Sequence, residues 1–141
     1  MQLKLQAIYR AVSVATALWA TSATAAPLTF TELFNPAEIS DPKNVVAGIM
    51  NRVWRKELQE ITGASYEYMY STFDAGGNKY LVSMMSSPLC GANSCTWSVQ
   101  KVTPDFKLID STDKINACAD RNQVDVTDGK LLICGKPVQL P

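Results

Sequence analysis

Residues 79–87 read KYLVSMMSS, a short and almost continuously apolar run. Tyr80, Leu81, Val82, Met84 and Met85 leave only the serines and Lys79 as polar positions. A run this short, bounded by turn signals, is a strand with little solvent contact. It is therefore assigned to the centre of a sheet. Its flanks fix what lies beside it. DAGGN (74–78) is a glycine-rich turn with Asp74 and Asn78 at its ends. SSPLCGANSC (86–95) places two cysteines around a short polar loop.

Before the first turn, Tyr66, Tyr68 and Tyr70 alternate with Ser65, Glu67 and Met69, the period of a strand with two different faces. After the loop, TWSVQKV (96–102) alternates again, TPD (103–105) turns the chain, and FKLID (106–110) follows. Tyr66 to Asp110 thus reads as a four-strand antiparallel meander. The tyrosine row, with Tyr80, is either an exposed aromatic stripe or the sheet face under a helix. The second reading is adopted, because strand tyrosines are ordinary sheet formers.

The helix to cover that face precedes the meander. Ser40 or Asp41 can cap it, and Pro42 fits its first position. Val45, Val46, Ile49, Met50, Val53, Trp54, Leu58 and Ile61 recur at helical spacing, with Asn51, Arg52, Lys56, Glu57 and Glu60 facing away. Gly63 is a natural stop. Trp54 is expected to serve packing. Upstream, Phe30, Leu33 and Phe34 are expected anchors, and Pro36 breaks any long helix there. Downstream, Ile115 and Ala117 begin a short element beside Cys118. NQVDV (122–126), TDG (127–129) and KLLIC (130–134) form a hairpin. The expected fold is α+β, with one long amphipathic helix packed on an antiparallel sheet of about five to six strands.

The amino terminus carries a different signal. Lys4 and Arg10 precede the uncharged run Ala11–Ala20, and Ala23-Thr24-Ala25 is a small-x-small site. That is the layout of a secretory signal peptide cut near Ala25. The expected domains are a signal peptide, 1–25, and a single periplasmic or secreted domain, 26–141. The apolar run is too short for a permanent span. Positive and negative side chains balance at 13 each, which predicts neither a nucleic-acid nor an anionic-membrane partner.

Export governs how Cys90, Cys95, Cys118 and Cys134 are read. An even set in an oxidising compartment implies disulfides. Several pairings satisfy the count; proximity favours Cys90–Cys95 and Cys118–Cys134. The chain has no histidine, so it lacks the usual general base and the commonest metal ligand. The cysteine spacing is not that of a zinc site or a C-x-x-C redox pair, so no metal and no cofactor are expected. Asp105, Asp110, Asp113, Asp120, Asp125 and Asp128 are scattered and expected to be solvated.

YLVSMMSSPLCGANSCTWSVQKV resembles a pattern in small exported Gram-negative proteins, where a strand ending C-G-x-x-x-C precedes an aromatic-rich strand. The order of elements from Asp41 to Asp110 is similar to the family of periplasmic inhibitors of vertebrate-type lysozyme. In that family the disulfide-closed loop protrudes and plugs the lysozyme cleft around a central histidine. The matching residues are Gly91, Ala92, Asn93 and Ser94; Ala92 and Asn93 stand where the histidine would be. The resemblance implies a non-enzymatic binding protein, an inhibitor or immunity factor against a cell-wall hydrolase, with the 90–95 loop as its contact. Gly91 is expected to permit a tight turn, and Asn93 and Ser94 to offer hydrogen bonds. Two alternatives stay open. The loop is only a staple, or the protein is a structural or accessory subunit of a secretion or conjugation assembly. The partner and the oligomeric state are not set by the sequence.

Overall fold

A computed structural model describes residues 25–33, 36–60, 66–86 and 90–141. Of the expected signal peptide, residues 1–24 lie outside them, as do Phe34, Ile61 and Gly63.

Among the described residues the chain runs β1 (Ala26–Pro27), β2 (Thr31–Leu33), α1 (Pro36–Ser40), α2 (Val45–Val53), α3 (Arg55–Glu60), β3 (Glu67–Ala75), β4 (Asn78–Ser86), β5 (Cys95–Val102), β6 (Leu108–Ser111), β7 (Ile115–Ala117), a 3₁₀ turn (Arg121–Gln123), β8 (Val124–Thr127), β9 (Lys130–Ile133) and β10 (Lys136–Val138). A six-stranded antiparallel sheet has the order β2-β3-β4-β5-β6, with β7 also paired to β5. The meander is present, and β4 is its central strand. A second, four-stranded sheet, β1-β8-β9-β10, was not anticipated.

The second sheet explains the apolar run at 79–87. Successive strand residues point to opposite faces, and here both faces are covered. Leu81 and Met85 join Val46, Ala47, Ile49, Met50, Trp54 and Tyr68 in a core beneath the helices. Tyr80, Val82 and Met84 join Phe73, Trp97, Val99, Val124, Leu131 and Ile133 in a core against the small sheet. The molecule is a three-layer stack of helices, large sheet and small sheet. Tyr66, Tyr68 and Tyr70 lie under the helices, whereas Tyr80 stacks on Phe73 in the other core.

The single long helix is corrected by the structure. Asp41–Asn44 is a turn, in which the Asn44 N–H donates to the Asp41 carbonyl at 3.0 Å. Asn44, rather than Ser40 or Asp41, caps α2 by accepting the Ala47 N–H at 3.0 Å. Pro36 opens α1 instead of breaking a helix. Trp54 (φ −99°, ψ 14°) leaves helical geometry and separates α2 from α3. Two residues expected to face outward turn in. Asn51 accepts the Tyr68 hydroxyl at 3.0 Å and donates to the Ile39 carbonyl at 3.0 Å, and Glu57 is largely buried. Val45, expected on the buried stripe, is 52 % exposed.

Three hairpins are closed by two-residue turns with both residues at positive φ: Gly76–Gly77, Asp128–Gly129 and Cys134–Gly135. This is the type I′ pattern, whose twist matches that of the strands it joins. Among the described residues no helix is long and apolar enough to cross a membrane.

Candidate functional site

The cysteine ring stands where β4 gives way to β5. Cys90 and Cys95 form one disulfide, and Cys118 and Cys134 the other, as proximity suggested. With no free cysteine left among the described residues, both bonds fit an oxidising compartment. Cys118–Cys134 ties the β8–β9 hairpin to the segment after β7. There the Trp97 indole N–H donates to the Cys118 carbonyl at 2.9 Å.

Gly91, Ala92, Asn93 and Ser94 are all exposed, while Cys95 at the base of the ring is 3 % exposed. The Gly91 N–H donates to the Ser94 carbonyl at 2.7 Å. The ring is therefore closed by a covalent bond and by a backbone hydrogen bond within it. Its root is fixed on both sides. Cys95 pairs with Ala117 in β7, and Cys90 packs against the core that faces the small sheet. Gly91 shares in the turn through its bond to Ser94, but without the left-handed conformation that glycine takes freely. It is absent from the residues at positive φ, and an added Cβ would lie 3.8 Å from Ser94 Oγ, an ordinary contact. The tip is small, neutral and polar. It offers backbone groups, the Asn93 amide and the Ser94 hydroxyl.

The scattered aspartates do not converge. Asp105 accepts the Thr103 hydroxyl at 2.6 Å and pairs with Lys107 at 3.0 Å. These contacts, Thr103 foremost, hold its carboxyl below the usual range. Asp110 accepts the Ser111 N–H, and Asp125 the Thr127 hydroxyl. Asp120 caps the 3₁₀ turn through the Asn122 N–H, and that bond, with the Gln123 side chain, lowers its pKa. Among the described residues no three acids or cysteines gather as a metal site would require.

Two constellations escaped the sequence reading. The first is a buried hydrogen-bonded chain under Trp54. The Trp54 indole N–H donates to Ser83 Oγ at 3.3 Å, and the Ser83 hydroxyl donates to Gln100 Oε1 at 3.0 Å. The Gln100 amide then donates to Ser98 Oγ at 2.9 Å. Ser83, Ser98 and Gln100 are fully buried, so mutual bonding removes the desolvation penalty each would carry alone. The second is Lys114. It donates to the Val53 carbonyl, pairs with Glu57 at 3.6 Å and lies over the Trp54 ring. Burial pulls its ammonium below the usual lysine range, and Glu57 partly offsets that. Neither was legible, because the partners are far apart in sequence.

No family model, no curated protein and no solved structure matches the chain.

Proposed function

We propose that this chain is an exported, non-enzymatic binding protein that presents the 90–95 ring to a protein partner. It acts as an inhibitor or immunity factor against a cell-wall hydrolase. The observation that supports this is the ring itself, four consecutive exposed residues closed by Cys90–Cys95 and by the Gly91–Ser94 hydrogen bond. A flexible loop loses conformational freedom on docking, and a preformed ring has less to lose. Rooting it in the core lets the tip enter a cleft without bending away. Small side chains at Ala92 and Ser94 let the backbone approach a partner closely.

The test is an inhibition assay with the purified chain against a panel of muramidases, amidases and lytic transglycosylases. Inhibition of one class is expected. Ala92→Trp and Asn93→Trp should remove it while leaving the circular dichroism and the urea midpoint unchanged. Inhibition that survives both substitutions moves the contact elsewhere; a panel left wholly active rejects the reading.

A further inference from the structure

A second surface lies at the far end of the meander, and its geometry is independent of the ring. β5 starts at Cys95, beside the ring, and ends at Val102. Beyond Val102 the chain turns through residues 103–107 into β6. A groove of about 440 Å³ opens there between this turn and α2, lined by Val45, Gly48, Ile49 and Arg52 on one side and Phe106, Lys107 and Leu108 on the other. That volume is in the range of sites that take a small ligand or a few side chains. The helical residues are spaced i, i+3, i+4 and i+7, so they form one face. Nothing lies within 4 Å of a Cβ built on Gly48, which leaves the groove open at its middle.

Three observations distinguish this groove from an ordinary surface dip. Of the two exposed large apolar side chains among the described residues, Val45, at 52 %, lines it, and Ile109, at 56 %, follows Leu108 in β6. β6 ends its sheet and pairs with β5 alone, so its outer edge faces no strand among the described residues. Finally, Phe106 holds φ +59°, where a bulky side chain is strained and glycine or asparagine is usual. The turn enforces that strain. The Phe106 N–H donates to the Thr103 carbonyl at 2.9 Å, the Thr103 N–H to the Lys107 carbonyl at 2.9 Å, and the Lys107 N–H to Thr103 Oγ1 at 2.8 Å. Strain held by so many bonds places the ring at the groove wall. Strained residues of this kind gather at binding sites.

We infer that the α2–β6 groove binds an extended segment of a partner protein that carries apolar side chains next to a carboxylate. The segment adds to the β6 edge through backbone hydrogen bonds. Its side chains on the helix side fall between Ile49, Phe106 and Leu108, and those on the other side meet Ile109. Its carboxylate meets Arg52, which is exposed and has no ion-pair partner among the described residues, and Lys107, whose only ion pair among them is the exposed one to Asp105. Charge decides between occupants. A second copy docked by the same face would bring two copies of Arg52 and Lys107 into one contact, with no acid among the residues lining the groove to meet them. A lipid chain would leave the β6 edge unused.

The test is selection of a phage-displayed random decapeptide library on the purified chain, followed by anisotropy titration of dye-labelled winners. The winners should pair Val, Ile or Phe with Asp or Glu. Arg52→Glu and Phe106→Gly should each weaken binding at least tenfold, and Asn93→Trp should leave it unchanged. Phe106→Gly removes the ring while relieving the backbone, so the fold should survive; Arg52→Glu, at an exposed position, is the independent check. Selection without winners, winners lacking an acid, or binding that tolerates both substitutions overturns the inference. So does a dimer in sedimentation velocity, or binding to anionic-lipid vesicles, that Phe106→Gly abolishes, since each assigns the groove to another occupant.

Discussion

The ammonium of Lys114 sits 4.2 Å from the centre of the Trp54 ring and donates at 2.7 Å to the carbonyl of Val53. A cation at the end of α2 meets the negative end of the helix dipole, and the break at Trp54 is stabilised from outside the helix. Lys114→Met should lower stability by about 1–3 kcal/mol. Glu57 would then be left largely buried without its cation, while the partial exposure of the pair moderates the loss. Adding Glu57→Met should recover most of it, because an apolar pair of similar volume has no charge to desolvate. Urea unfolding of both variants checks this.

Tyr68 is fully buried and donates its hydroxyl to Asn51. Burial first, then Tyr66 and Glu57, push its pKa far above the ordinary tyrosine value. In the unfolded chain the phenol ionises near pH 10, roughly, while the folded protein keeps the proton. The folded state therefore binds more protons above that pH, and stability should fall as pH rises through it. Lys114, with its lowered pKa, acts in the opposite direction, so the informative quantity is the difference between wild type and Tyr68→Phe. That difference should be about 1 kcal/mol at neutral pH, from the lost hydrogen bond, and should shrink above pH 10, roughly.

Cys134 holds φ +55° in the turn between β9 and β10. Cys118→Ala with Cys134→Ala should lose the cross-link, worth about 2–4 kcal/mol, and keep the left-handed backbone strain that Cys134 already carries. Cys118→Ala with Cys134→Asn should lose the same cross-link but recover up to about 1 kcal/mol of that strain, since asparagine tolerates the conformation. Thermal unfolding should rank Cys134→Asn above Cys134→Ala.

Gly91→Ala should change stability by less than about 0.5 kcal/mol, because the new Cβ meets only ordinary contacts and φ is not in the left-handed region. Gly77→Ala, at φ +76°, should cost about 1 kcal/mol or more. Comparing the two unfolding midpoints separates the two kinds of glycine.

The meander was legible because β3 and β5 carry a period-two pattern, β4 is a short apolar run, and its turns carry Gly, Pro or Asp. The β8–β9 hairpin was legible through Asp128–Gly129 for the same reason. β10 was not, because the turn before it is Cys134–Gly135, and a cysteine gives no sign that a disulfide holds it at positive φ. β1 spans only Ala26–Pro27, too short for any period. The helix break at Trp54 was hidden by its own apolarity. Trp54 falls on the buried stripe, and periodicity registers the stripe but not the bond from Lys114 to the Val53 carbonyl. At the candidate site the ring and its exposure followed from the paired cysteines. The conformation of Gly91 did not, because a five-residue separation closed by sulfur allows a turn without a left-handed residue. Glu57 and Asn51 were misplaced by a strict outward-face rule, since each turns inward toward a group on another element.

The double-sided burial of β4 also fixes its reading frame. Sliding the strand by one position against β3 and β5 would carry Ser83 away from the Trp54 indole into the dry layer beside Val99 and Leu131, and would drop Val82 or Met84 among Gln100 and Ser98. Both interiors would be spoiled at once, so a mispaired hairpin has no half-satisfactory state in which to linger.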